Sequence, residues 1–469
     1  MKTSHDCTYS CDDYSSFLKD LKINIGVTKF CGVVKIPSSK KAIKYFKKNG
    51  HVAQTITDEE YQQKQTLFYD GFINTFYPPK DCAGMYSQIY AFEDIVDEPK
   101  EITMCNYYDE DVNISVESIS YYIYPEDILI FVLTLSNNSL SLGELQKRNF
   151  AIKMVNWYGI EKDYAPKYSN EYFSLFDEII TVKFPDRAIK ESEIRKKFHK
   201  LFMGNMFYVY QAIQLSENYD VVTNDELLYE LTAIQNYDAI GKMRELSYGF
   251  NPSSEYFSAF KDKNILKVYN DWSAAVTIDS FCVLMNKSML DFACNEWVYK
   301  ESKNNNRFML FLNTVLLKNY LVLCNEKFQA EPITTETRDK FLKFDRIFNL
   351  RTVSYNTLPQ LVYEKIRRSF EIDEELVMVN QKISQFSDNR NQRNERVLNY
   401  ILAFVALFSV SSFFADGITW LTQIGILEII DSKGKIIGAG LWSFIAFIII
   451  IILFGILIWI RKIMDRSNK

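Results

Sequence analysis

The sequence predicts an α/β body, then a long stalk helix, then a two-helix transmembrane hairpin at the carboxyl end. Three observations carry that reading. Strand-like and helix-like runs alternate over residues 1–335; no glycine or proline interrupts the chain from Gln360 into the first apolar segment; and two long uncharged apolar segments lie from Val397 onward. A chain of 469 residues with a formal net charge of −5 suits two or three units rather than one. Before Val397 the mixture of Lys, Asp, Glu, Asn, Tyr and Phe is that of a folded soluble protein.

The opening stretch MKTSHDCTYSCDDYSS is polar and acidic where a secretory signal carries an apolar region, so the body is expected in the cytosol. The eight cysteines form no CxxC pair, and reduced, buried thiols are expected rather than a zinc ribbon or a disulfide framework. His5, Cys7, Cys11, Asp12 and Asp13 bring metal-ligating types together, but a frayed polar terminus has the same composition. There is no Walker loop, GxGxxG, GxSxG or HExxH, and three histidines do not furnish a His-based metal cluster, so an enzyme is not expected. Asp109, Glu110 and Asp111 read as a solvated charge run.

Within the body, Pro125–Asn138 reads as a buried strand ending at a polar turn. Leu142, Leu145, Phe150, Ile152 and Val155 then fall on a helical face, giving a βα unit. Residues 264–286 are strand-rich. Residues 306–328 are apolar enough for a membrane span, but Arg307, Asn313, Lys318 and Asn319 interrupt them, and a buried helix is expected. Residues 160–260 show helical patches such as ESEIRKKFHKLFMGNMFYVYQAIQLSENY and no named motif.

The stalk region, 336–396, contains Leu358–Phe408 in which nothing after Pro359 breaks a helix; some fifty residues would run about 75 Å. Crossing a bilayer takes roughly 20 mainly apolar residues. Val397–Ala415 and Ile436–Ile460 qualify as transmembrane helices 1 and 2, with an extracytoplasmic loop at 416–435 and a basic tail at 461–469. Arg390, Arg393 and Arg396 before the hairpin and Arg461, Lys462, Arg466 and Lys469 after it place both termini in the cytoplasm. Trp420 and Leu421 in the loop suit the membrane–water interface.

At about 100° per residue, Asp388, Gln392, Glu395, Asn399, Leu402, Ala406, Val410 and Phe413 fall within about 40° of one line. Leu376, Val379, Ile383 and Phe386 occupy the opposite face. If several copies surround an axis with that line inward, Asp388 and Glu395 form acidic rings, Asn399 an amide ring, and Leu402 to Phe413 an apolar constriction. The alternative is that the same positions face water below the bilayer and lipid within it.

A stalk helix entering a first span, a short outer loop, a second span and a basic tail resemble the CorA family of divalent-cation channels. The residue-level match is NQRNERVLNYILAFVALFSVSSFFADGI, Asn391 to Ile418. The resemblance implies a funnel-shaped homopentamer with the first span lining the axis. The family's Tyr-Gly-Met-Asn signature is absent: Gly417-Ile418 is followed by Thr419-Trp420-Leu421-Thr422, and an indole does not replace a carboxamide that holds the water shell of magnesium. A scaffold without that filter resembles the CorA-like membrane effectors of type III CRISPR systems. That likeness implies a bacterial plasma-membrane protein in antiviral defence, opened by a nucleotide messenger, either a conjugate of S-adenosylmethionine with AMP or a cyclic oligoadenylate. It implies no direct nucleic-acid binding, with membrane lipid and further copies of the chain as partners and a divalent cation as candidate cargo. No residue is assigned to the ligand. Two other readings stay open, a divergent magnesium or divalent-cation transporter, and a membrane-anchored sensor or scaffold without a pore.

Overall fold

A computed structural model describes residues 21–36, 38–48, 52–53, 56–77, 90–105, 111–153, 207–219, 221–234, 253–290, 294, 297–298, 306–423 and 448. The chain divides into two compact units, Met1–Asn380 and Gln381–Lys469.

The first unit is built on a nine-stranded sheet of order β2-β3-β4-β5-β1-β6-β9-β8-β7. Its strands are β1 (Ile23–Lys35), β2 (Val52–Ala53), β3 (Tyr90–Cys105), β4 (Asp111–Tyr124), β5 (Ile128–Ser136), β6 (Tyr208–Leu215), β7 (Ile265–Tyr269), β8 (Trp272–Val276) and β9 (Ser280–Met285). All pairs are antiparallel except β6 with β9. The central strands are apolar almost throughout, as in ILIFVLTLS of β5 and SFCVLM of β9, because both sheet faces are covered.

Helices α1 (Ser39–Lys48), α4 (Leu142–Lys153) and α5 (Val221–Ala233) cover one face. Phe46 meets Tyr121 at 4.7 Å, and Leu142, Leu145, Leu227 and Leu231 share a core with Ile213 and Cys282. Helix α7 (Asn306–Ala330) covers the other, its Phe308 and Phe311 lying 5.3 Å and 5.9 Å from the Tyr210 ring. The remaining helices of the unit are α2 (Asp58–Gln65), α3 (Asp70–Phe76), α6 (Ser254–Asn264), α8 (Thr335–Phe348) and α9 (Thr357–Ser369).

The strand at 125–138, the helix after it, the strands of 264–286 and the helix at 306–328 form where the pattern places them; Val155 lies outside the described residues. Helix α7 is long and apolar enough to cross a membrane, but 89% of its most apolar window is buried in the body. Some of its polar groups find partners there: Asn313 Nδ2 donates to the Phe348 carbonyl at 3.3 Å and to the Tyr363 hydroxyl at 3.2 Å, and Asn319 Nδ2 to the Val315 carbonyl at 2.8 Å.

Two expectations are corrected. The stretch YVYQAIQL, read among helical patches, is the central strand β6, since it lies between β1 and β9 with both faces covered. The body does not end at 335: α8 and α9 belong to the first unit, Tyr320 of α7 stacking on Phe344 of α8 at 3.6 Å and Asn313 bonding Tyr363 of α9. The candidate metal cluster His5–Asp13, the run Asp109–Glu110 and residues 160–206 lie outside the described residues. Cys31, Cys282, Cys294 and Cys324 are buried thiols.

A polar network crosses the core beneath α4. The buried Arg148 guanidinium donates to the Ser136 carbonyl at 2.7 Å and to the side chains of Asn137 and Asn149; Asn149 donates to Gln211 at 2.9 Å, and Gln211 to the Leu231 carbonyl at 2.8 Å. Neutral acceptors stabilise a buried cation less than a carboxylate does, and burial lowers the Arg148 pKa to about 9.

Burial acts oppositely on the acids. It pushes the Cys31 and Cys282 thiols and the Tyr124 and Tyr363 phenols up, Cys324 to about 11 and Tyr208 to about 12. The folded body therefore keeps protons that the unfolded chain releases above about pH 8.5 for thiols and about pH 10 for phenols. Their contribution is full below those values and is lost as pH rises through the folded values; Arg148 and Lys365, whose pKa values burial lowers, oppose it in part. The thermal unfolding midpoint should fall steadily when calorimetry is carried from about pH 8 to about pH 10.5.

Candidate functional site

The feature that reaches beyond the α/β body is α10, Ile372–Gln423, a single helix of 52 residues that would extend about 78 Å. It carries every residue of the predicted axial line. Its start differs from the sequence expectation of one helix running from Pro359: α9 ends at Ser369, Phe370 closes the last turn, and Glu371 has a left-handed φ of 55°. The reason lies in packing. Phe370 and Ile372 are both fully buried, and Phe370 stacks on Tyr208 at 5.7 Å and meets Phe311 edge-on at 5.8 Å. In one continuous helix residues two apart point about 160° from each other, so the break lets both enter the core.

Two carboxylates of the first turn of α10 are then gripped by cations of the body. Asp373 Oδ1 accepts from Arg367 Nη2 at 2.7 Å; the same guanidinium donates to Asn349 Oδ1 at 2.8 Å, tying α9, α10 and the loop after α8 together. Glu375 is deeper: Lys318 Nζ lies 3.1 Å from its Oε1, and Asn325 Nδ2 donates to its Oε2 at 2.5 Å. Carboxylates at a helix start also face the positive end of its dipole. Sequence reasoning missed this grip. The signal was a Lys and an Asn seven residues apart, and so on one face, in the otherwise apolar α7.

Leu376, Val379 and Ile383 are buried, and Phe386 is half-buried, on the face opposite the line. From Asp388 to Leu402 every side chain is exposed. Asp388, Gln392, Glu395, Asn399, Leu402, Ala406, Val410 and Phe413 lie on one unbroken helix and span about 38 Å of it. Being successive turns of one helix, they form no cluster within a single chain.

The apolar part is uncovered: Leu398 is 57% exposed, Phe404 55% and Phe413 78%, and Val397, Ile401 and Val405 are exposed as well. Soluble monomers rarely present so large an apolar surface. Ser409 Oγ donates to the Val405 carbonyl at 3.0 Å, which satisfies the hydroxyl without water. The helix also runs past Ala415, through Asp416 and Gly417, to Gln423, so the first eight positions of the expected loop are helical. The rest of that loop and the 436–460 segment, apart from Ile448, lie outside the described residues.

Comparison with models of known families, with curated proteins and with solved structures returns no match.

The body also has a cavity of about 470 Å³ beside the last turns of α7. Lys35, Lys327 and Lys340 line it together with Glu126, Glu326 and Glu331, so its charges balance. The Tyr320 ring is stacked on Phe344, which leaves it little free face for a planar ligand. Tyr320 and Lys327 point from the side of α7 opposite Lys318 and Asn325, given about 100° per residue.

Replacing Lys318 by Met leaves the half-buried Glu375 with one neutral donor. The purified chain should lose about 1–3 kcal/mol in denaturant unfolding, below the cost of breaking a fully buried pair because Glu375 keeps some access to water.

Proposed function

We propose that this chain is a homo-oligomeric membrane pore of CorA-like architecture, with α10 of each copy lining the axis and the α/β body in the cytosol. The observation that carries the reading is the composition of one continuous helix. Exposed acidic and amide side chains at Asp388, Gln392, Glu395 and Asn399 run in line into an apolar belt whose described side chains are mostly exposed. Lipid satisfies the outside of that belt and neighbouring copies its inside. Acidic rings at the mouth favour cations, and the apolar stretch from Leu402 to Phe413 acts as a gate by excluding water. Arg390, Arg393 and Arg396, all exposed at the body end of the belt, support a cytosolic body at the plasma membrane.

The nucleotide trigger and the role in antiviral defence rest on the resemblance of Asn391–Ile418 to the CorA-like effectors, and they enter as a ligand to be tested. Purified protein in liposomes is assayed for ion and dye release alone, with cyclic oligoadenylates, and with the S-adenosylmethionine–AMP conjugate. Release on adding one nucleotide supports the gated effector. Magnesium uptake without nucleotide turns the pore into a transporter, and silence in all arms leaves a membrane anchor.

Within the pore reading, Ala406→Trp on the line should bring release down to that of empty liposomes. Ile401→Trp, on the opposite side of the same helix, should leave it unchanged. Equal effects of the two would remove the assigned axis.

A further inference from the structure

Local sequence and tertiary structure disagree between α9 and α10. Between Gln360 and Ala415 there is no glycine or proline, and Glu is a good helix former, so the chain at Ser369–Phe370–Glu371–Ile372 favours one continuous helix. The structure instead holds Glu371 at a φ of 55°, a region that disfavours any residue with a Cβ. What holds it there is tertiary: burial of both Phe370 and Ile372, the Arg367–Asp373 pair, and the grip of Lys318 and Asn325 on Glu375.

We propose that residues 370–372 form a two-state joint. In the bent state seen here the two grips are made. In the straight state Glu371 turns right-handed and α9 and α10 fuse into one helix from Thr357 to Gln423, so either Phe370 or Ile372 leaves the core and Glu375 turns away from Lys318. Exchange between the states is the regulation of the pore; this second half rests on the pore reading, and the joint itself does not. Any agent that binds one state better shifts the balance by its differential affinity.

The test is a distance measurement by pulsed electron resonance, with spin labels on noncanonical residues at the exposed positions Leu361 and Asn380 of the full chain in lipid. In a continuous helix these positions stand about 28 Å apart, and a bent joint brings them closer. Wild type should give mainly the shorter distance. Glu371→Val, which disfavours the left-handed region, combined with Glu375→Gln should raise the population near 28 Å at least tenfold, and Glu371→Gly should lower it below wild type. Unchanged distributions in folded variants overturn the joint. Should the double variant not fold, Glu375→Gln and Glu371→Gly decide alone: opposite shifts support the joint, and parallel shifts or none overturn it.

Dye release is followed on the same samples. Release that changes with the distance supports the coupling. A distance that shifts while wild-type release stays unaltered overturns the coupling and keeps the joint. A protein that never conducts, yet whose distances shift, faults the pore reading alone.

Discussion

Phe370 and Ile372 enter one core from positions two apart in sequence, and the rest of the arrangement depends on that constraint. It breaks what local propensity would make a single helix, forces Glu371 left-handed, and fixes where α10 begins. With the start fixed, Asp373 reaches Arg367 and Glu375 reaches Lys318 and Asn325. The helix then runs unbroken for 52 residues, and the alignment of Asp388 with Phe413 follows from their spacing along it.

Two helices of similar apolar character have opposite surroundings. Helix α7 is enclosed by the sheet, α8 and α9; its Asn313 and Lys318 bond Tyr363 of α9 and Glu375 of α10, and Asn319 bonds the Val315 carbonyl of its own helix. The described apolar side chains of α10 from Val397 onward are mostly exposed, and its one described serine bond goes to its own backbone. Hydropathy alone does not separate these cases; the placement of polar residues does. On α7 they recur at spacings that meet neighbouring elements, whereas on α10 they stop at Asn399 and return only as small hydroxyls before Asp416.

Much of the body was legible. Strands such as ILIFVLTLS announce themselves because a sheet covered on both faces needs continuous apolar runs. Strand β6 was not, because Gln211 and Gln214 give YVYQAIQL a polar character that only their buried hydrogen bonds explain. The axial line was legible because an unbroken helix makes spacing equivalent to geometry. The joint was hidden for the converse reason. No residue in SFEIDE is a helix breaker, and the break comes from long-range burial and from the ion pair of Glu375 with Lys318, 57 positions away, alongside the local Arg367–Asp373 pair. Such tertiary override of local preference marks a place where two arrangements of the chain compete.

The central claim is that the bare apolar belt of α10 is covered by lipid outside and by other copies of the chain inside. Native mass spectrometry of the full-length protein in lipid nanodiscs tests it most directly. The expected result is one assembly of several copies, a pentamer if the proposed CorA-like architecture holds, retaining lipid on release from the disc. A monomer that stays soluble without lipid or detergent would contradict it.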